Sequence, residues 1–161
     1  FKFPARGEMP PVTLTWWDGG LMPQRPDELE DDMPFGDPNG GCLFIGDKGK
    51  LVCGCYGLNP RILNPDLREA SKKLAKTLPR IPGNSSGHEK DWIRACKGGP
   101  AASSNFDYSG PLSEMVLMGN LASRYPDRKL LWDGPQMRVT NDKDADAYVR
   151  REYRKGFELG T

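Results

Sequence analysis

Apolar and polar residues first alternate over residues 11–17, Pro-Val-Thr-Leu-Thr-Trp-Trp. Val12, Leu14 and Trp16 share one face and Thr13, Thr15 and Trp17 the other, which predicts a strand ended by Asp18-Gly19-Gly20. Phe1 and Phe3 predict an earlier strand reaching Pro4. Residues 21–41 carry Pro23, Pro26, Pro34 and Pro38, and an acidic run, Asp27 to Asp32, with Leu29 as its one apolar member. They read as a long exposed loop, the acidic run being a solvated segment. The strongest hairpin signal spans 42–56, where Cys42-Leu43-Phe44-Ile45 and Leu51-Val52-Cys53 flank Gly46-Asp47-Lys48-Gly49-Lys50. With Gly49 in the left-handed region and Gly46 opposite Lys50, Leu43, Ile45, Leu51, Cys53 and Cys55 share a face. Cys42, Phe44, Val52 and Tyr56 then point the other way.

Helical spacing takes over further on. Asn64 and Pro65 open a helix over 65–78 with Leu67, Ala70, Leu74 and Leu78 in one stripe and Pro79 beyond its end. A second helix spans 87–97, with Ser86 and Glu89 as a capping box, Trp92, Ile93 and Cys96 as its buried face and Gly98-Gly99 as its stop. A third spans 111–125 from Pro111. Being apolar nearly all round, it is expected to be buried on several sides, with a neighbour close to Gly119. Short strands are expected at 130–132 and 136–139, and a last helix over 143–154 starting at Asn141. These elements make one α+β domain over 1–161, a mainly antiparallel open-faced β-sheet with helices packed on one face.

Composition narrows the function classes. Lys+Arg 23 against Asp+Glu 22 gives a net charge of +1, which lacks the basic footprint of a nucleic-acid or anionic-membrane binder. A mean hydropathy of −0.66 and the lack of a long apolar run predict a soluble chain without a membrane span. The start at Phe1, without Met or a signal segment, is expected to mark a processed product or an excised fragment.

Candidate chemistry is sparse. There is no G-x-G-x-x-G after a strand, no G-x-x-x-x-G-K-[ST] and no H-E-x-x-H. The single histidine, His88, sits near the start of the second helix, whose dipole favours the neutral imidazole. It reads either as a base or sugar-hydroxyl partner beside a cleft, or as a surface or capping residue. Asn105-Phe106-Asp107-Tyr108 reads either as a polyol-binding cluster or as a cap and turn. Cys42, Cys53, Cys55 and Cys96 lack zinc-site spacing, and the expected hairpin puts Cys42 on the face away from Cys53 and Cys55. The reading is therefore four free thiols and no metal site.

Six segments in order also carry a resemblance. They are Phe3-Pro4-Ala5-Arg6-Gly7 with Pro10-Pro11; Leu14-Thr15-Trp16-Trp17-Asp18-Gly19-Gly20; and Phe44-Ile45-Gly46-Asp47-Lys48-Gly49-Lys50-Leu51. Then come His88-x-x-Asp91-Trp92; Asn105-Phe106-x-Tyr108-Ser109-Gly110-Pro111-Leu112-Ser113-Glu114; and Trp132-Asp133 with Tyr153-Arg154-x-Gly156. Together they resemble the C-terminal α/β domain of the Gfo/Idh/MocA oxidoreductases, the glucose–fructose oxidoreductase and inositol dehydrogenase family, in a bacterial subgroup. The resemblance implies a parent that moves a hydride between a sugar or polyol carbon and NAD or NADP, in the cytoplasm or periplasm. Its N-terminal Rossmann domain would be this chain's partner and would hold the cofactor; the chain itself would hold neither cofactor nor catalytic residues. His88 does not match the family's Asp-x-x-x-His pair, because Asn84 stands four positions before it. His88, Asn105 and Tyr108 are the substrate-facing candidates, and a homo-oligomer through the sheet face is expected. Two further readings are a non-catalytic binding or oligomerisation module and a glycoside hydrolase parent that uses NAD.

Overall fold

The structure, a computed structural model, describes residues 1–83 and 86–158; Asn84 lies outside the described residues. It is α+β, with all strand pairing antiparallel and the strands spread over three small sheets. The chain forms two compact units, Phe1–Thr77 and Leu78–Thr161.

In the first unit, β1 (Lys2–Phe3) pairs with β2 (Val12–Thr13), and Phe1 and Leu14 extend the pair by exchanging backbone hydrogen bonds. The expected strand over 11–17 therefore stops after two residues. Val12, Trp16 and Trp17 are exposed, and no buried face forms to sustain the alternation. From there to Gly40 the backbone is irregular, apart from an isolated bridge between Asp37 and Gly40. The loop is not wholly solvated, because Leu29 is only 5% exposed and packs with Val52 and Leu63 in the core.

The hairpin consists of β3 (Gly41–Ile45) and β4 (Lys50–Gly54), followed by β5 (Arg61–Ile62) on the other side of β4. Its register differs by one residue from the sequence reading. Ile45 faces Lys50, Phe44 faces Leu51, Leu43 faces Val52 and Cys42 faces Cys53. The turn is tighter than expected: the Gly46 N–H donates to the Gly49 carbonyl at 3.0 Å, leaving two residues between them. A one-residue shift exchanges the faces. Leu43 and Val52 therefore share the core side with Leu63, Leu29 and Phe35. Gly49 lies outside the left-handed region. Its missing Cβ serves a close approach instead, since a Cβ there would stand 2.9 Å from Leu67 Cδ1.

Helix α1 (Pro65–Ser71) starts as expected, with Asn64 Oδ1 accepting the Leu67 N–H at 3.0 Å. It ends well short of residue 78, and Leu74 and Leu78 are exposed. A short helix without cover along its length is marginal in water.

In the second unit, α2 spans Gly87–Cys96 and α3 Phe106–Arg124; β6 (Trp132–Asp133) pairs with β7 (Arg138–Val139), and α4 is Lys143–Asp146. Gly98, with φ +84°, and Gly99 close α2 as expected, the Gly99 N–H donating to the Arg94 carbonyl. The Ser86 capping box does not form. At φ −102°, ψ 14° Ser86 is outside the extended region that aims its hydroxyl at the first turn. Trp92, Ile93 and Cys96 are exposed rather than buried. Helix α3 begins five residues before Pro111, which lies inside it, and contains no buried residue, contrary to the expectation of burial on several sides. The last helix is cut to one turn, capped by Asp142 rather than Asn141. Asn141 instead ties two segments together, accepting from the Leu131 N–H and donating to the Lys129 carbonyl.

Burial is low throughout. The chain exposes 14136 Å². A compact monomer of its mass exposes about 8,000 Å², and two separate units of half that mass about 9,700 Å².

Candidate functional site

The sequence candidates lie in the second unit, at the starts of α2 and α3. Gly87 is buried and lets α2 begin close to the chain before it, since a Cβ there would meet the Pro82 carbonyl oxygen at 3.3 Å. His88, the next residue, is exposed. One turn on, Asp91 fastens the following loop to the helix. Its Oδ2 accepts the Ser103 N–H at 2.8 Å and its Oδ1 pairs with Arg94, which also donates to the Pro100 carbonyl. The Ser103 N–H, then Arg94, holds the Asp91 carboxyl well below the usual carboxylate range, at about 2.

That loop delivers Asn105, whose amide caps α3. Its Oδ1 accepts the Asp107 N–H at 2.9 Å and its Nδ2 donates to the Ala102 carbonyl at 3.0 Å. Of the two readings of Asn105, the structure shows the cap. Tyr108, 65% exposed, stands in the first turn of α3. Among the described residues no hydrogen bond joins His88, Asn105 and Tyr108 side chains to one another. Asp91 ties α2 to the loop that leads into α3, a role missed in the sequence although His88-x-x-Asp91 places both on neighbouring positions of one helix face. Glu114 of α3 likewise accepts a hydrogen bond from the Trp132 indole, joining two of the segments that carry the resemblance.

The first unit holds a cleft of about 350 Å³ walled by Leu29, Leu51, Ile62 and Leu63, with Arg61 and Arg68 at its edge. Arg68 donates from Nε to the Ile62 carbonyl at 2.9 Å, and Arg61 from its terminal nitrogen to the Pro34 carbonyl. The Arg61 Nε is buried and has no partner among the described residues. Glu28, also in the cleft's lining, pairs with Lys50 at 2.7 Å, and Lys50 holds the Glu28 carboxyl below its ordinary value. The cleft offers guanidinium donors and apolar walls. Arg61 was not singled out in the sequence; the alternation of Arg61 and Leu63 on one face of a strand entering Asn64-Pro65 was the available signal.

Among the described residues no three His, Cys, Asp or Glu side chains converge as metal ligands, and all four cysteines are free thiols. At the one strand-to-helix turn of the first unit, Pro65 has no N–H to offer a phosphate, and the Leu67 N–H is already taken by Asn64. No described helix is long and apolar enough to cross a membrane. No family model matches the chain, and no curated protein matches it.

Proposed function

We propose that this chain is the substrate-side and association domain of an NAD(P)-dependent oxidoreductase acting on a sugar or polyol. A Rossmann partner domain supplies the cofactor and the catalytic groups. The observation that carries this reading is the uncovered apolar surface. The six segments of the resemblance include Trp16, Trp17, Trp92, Phe106 and Tyr108, and all five are exposed. Large apolar side chains left exposed in each unit mark surfaces made to be covered. His88 and Tyr108 stand beside two helix starts, where polar side chains can meet a hydroxylated ligand. The same surface also favours a second reading, a non-catalytic association module.

The natural full-length protein tests both. The first reading expects a G-x-G-x-x-G and a Glu-Lys-Pro segment before Phe1, and formation of reduced nicotinamide with at least one member of a sugar and polyol panel. Alanine at His88 or Tyr108 should raise KM for that substrate. A gene without the two motifs, whose product reduces no nicotinamide, selects the module.

A further inference from the structure

We propose that Cys42 and Cys53 form a redox-sensitive clamp, a cross-strand dithiol that closes to a disulfide and ties the edge strand β3 to β4. The two residues are direct partners in the ladder, so their side chains leave the same side of the sheet. The ladder also fixes the kind of pair. Gly46 and Gly49 are hydrogen-bonded across the turn. Hydrogen-bonded pairs recur at every second position, through Phe44–Leu51 to Cys42–Cys53. Such a pair has its Cα atoms about 5.5 Å apart, inside the range a disulfide spans. Burial, then the Cys53 thiol and Cys55, raises the Cys42 thiol above its ordinary value.

Exposure gives the two sulfurs different roles. Cys42 is exposed and Cys53 buried, so a dissolved oxidant meets Cys42 first. With a small-molecule disulfide such as oxidised glutathione, the Cys42 thiolate attacks one sulfur. The oxidant's S–S bond breaks, and one glutathione leaves and takes up a proton. The Cys53 thiolate then attacks Cys42 Sγ in the mixed disulfide and expels the second glutathione, which takes up the other proton. Two protein thiols lose two electrons, and one glutathione disulfide becomes two thiols. β3 has a neighbour on one side only, β4, so the bond secures an edge strand that a single ladder holds. Cys55 lies past the end of β4, in the turn Cys55–Gly57, and has no partner on β3.

The test is incubation of the chain in oxidised glutathione, acid quench and a thiol count under denaturing conditions. The expected result is a fall from four thiols to two, a Cys42–Cys53 link in the peptide map and a midpoint of thermal unfolding several degrees higher. Cys55→Ala should retain the loss of two thiols. Cys42→Ser, at an exposed position that leaves the core intact, and Cys53→Ala should abolish both the link and the shift. Four surviving thiols, a stable glutathione adduct at Cys42, or a link through Cys55 or Cys96 would overturn the proposal.

Discussion

A Cβ added at Gly54 would fall on the Asp37 carboxylate. That carboxylate is already committed, its Oδ2 to the Cys55 N–H and its Oδ1 to the Asn39 N–H, both at 2.8 Å. The side chain cannot move away without releasing the end of the hairpin. Gly54→Ala should therefore cost about 1–3 kcal/mol, the range for forcing a methyl into filled space, read as a lower denaturation midpoint with the slope unchanged. Asp91 makes a second prediction at this scale. Its folded pKa of about 2 lies below the ordinary 3.8, so the folded state binds fewer protons there than the unfolded one. The stability it contributes is complete above pH 3.8 and is lost as pH falls toward 2. A carboxyl titration by NMR should place its midpoint near 2. Asp91→Asn should flatten the acid limb of the stability curve, and an unchanged limb would count against the Ser103 and Arg94 contacts as its cause.

At the scale of elements, the parts legible in the sequence were those decided by local chemistry. Asn64-Pro65 starts α1 and Gly98-Gly99 ends α2 because caps and left-handed stops act within one turn of backbone. What depended on a distant surface was not legible. The stripes at Leu74 and Leu78, and at Trp92 and Ile93, have helical spacing, yet nothing in the described structure covers them. The hairpin register turned on whether the turn held two residues or three, a difference of one hydrogen bond from Gly46 to Gly49, and it inverted the argument about the cysteines. Leu29 was hidden by its neighbours, since an acidic run signals solvent and gives no sign that one side chain reaches the core. The candidate site divided in the same way. Asn105 was readable as a cap, whereas the bond from Asp91 to Ser103 spans a loop that no local rule specifies. With so few buried residues in the first unit, Leu29→Ala should cost about 2–5 kcal/mol. Urea unfolding followed on the first unit would show it, and a loss under about 0.5 kcal/mol, typical of a surface change, would mean that Leu29 does not hold the loop.

For the whole molecule the governing quantity is surface. An exposed area of 14136 Å² leaves far more apolar surface in water than a protein of this mass can usually hold, and the remedy open to a free chain is association. The strands offer a place for it. Trp16, Trp17, Phe44 and Ile45 are exposed large side chains on or beside β2 and β3, and β3 leaves one edge of its sheet unpaired. Two-fold pairing is the commonest closed arrangement. Sedimentation equilibrium at tens of micromolar chain should therefore give a mass above 17.9 kDa, and Trp17→Glu should return it toward the monomer by placing a charge where apolar contact is needed. Trp17 is 47% exposed and absent from the core, so the substitution tests association without removing a packing residue. A strictly monomeric wild type, with a mass near 17.9 kDa, would refute association of the chain with itself, because the exposed strands would then stay uncovered at a concentration that favours pairing.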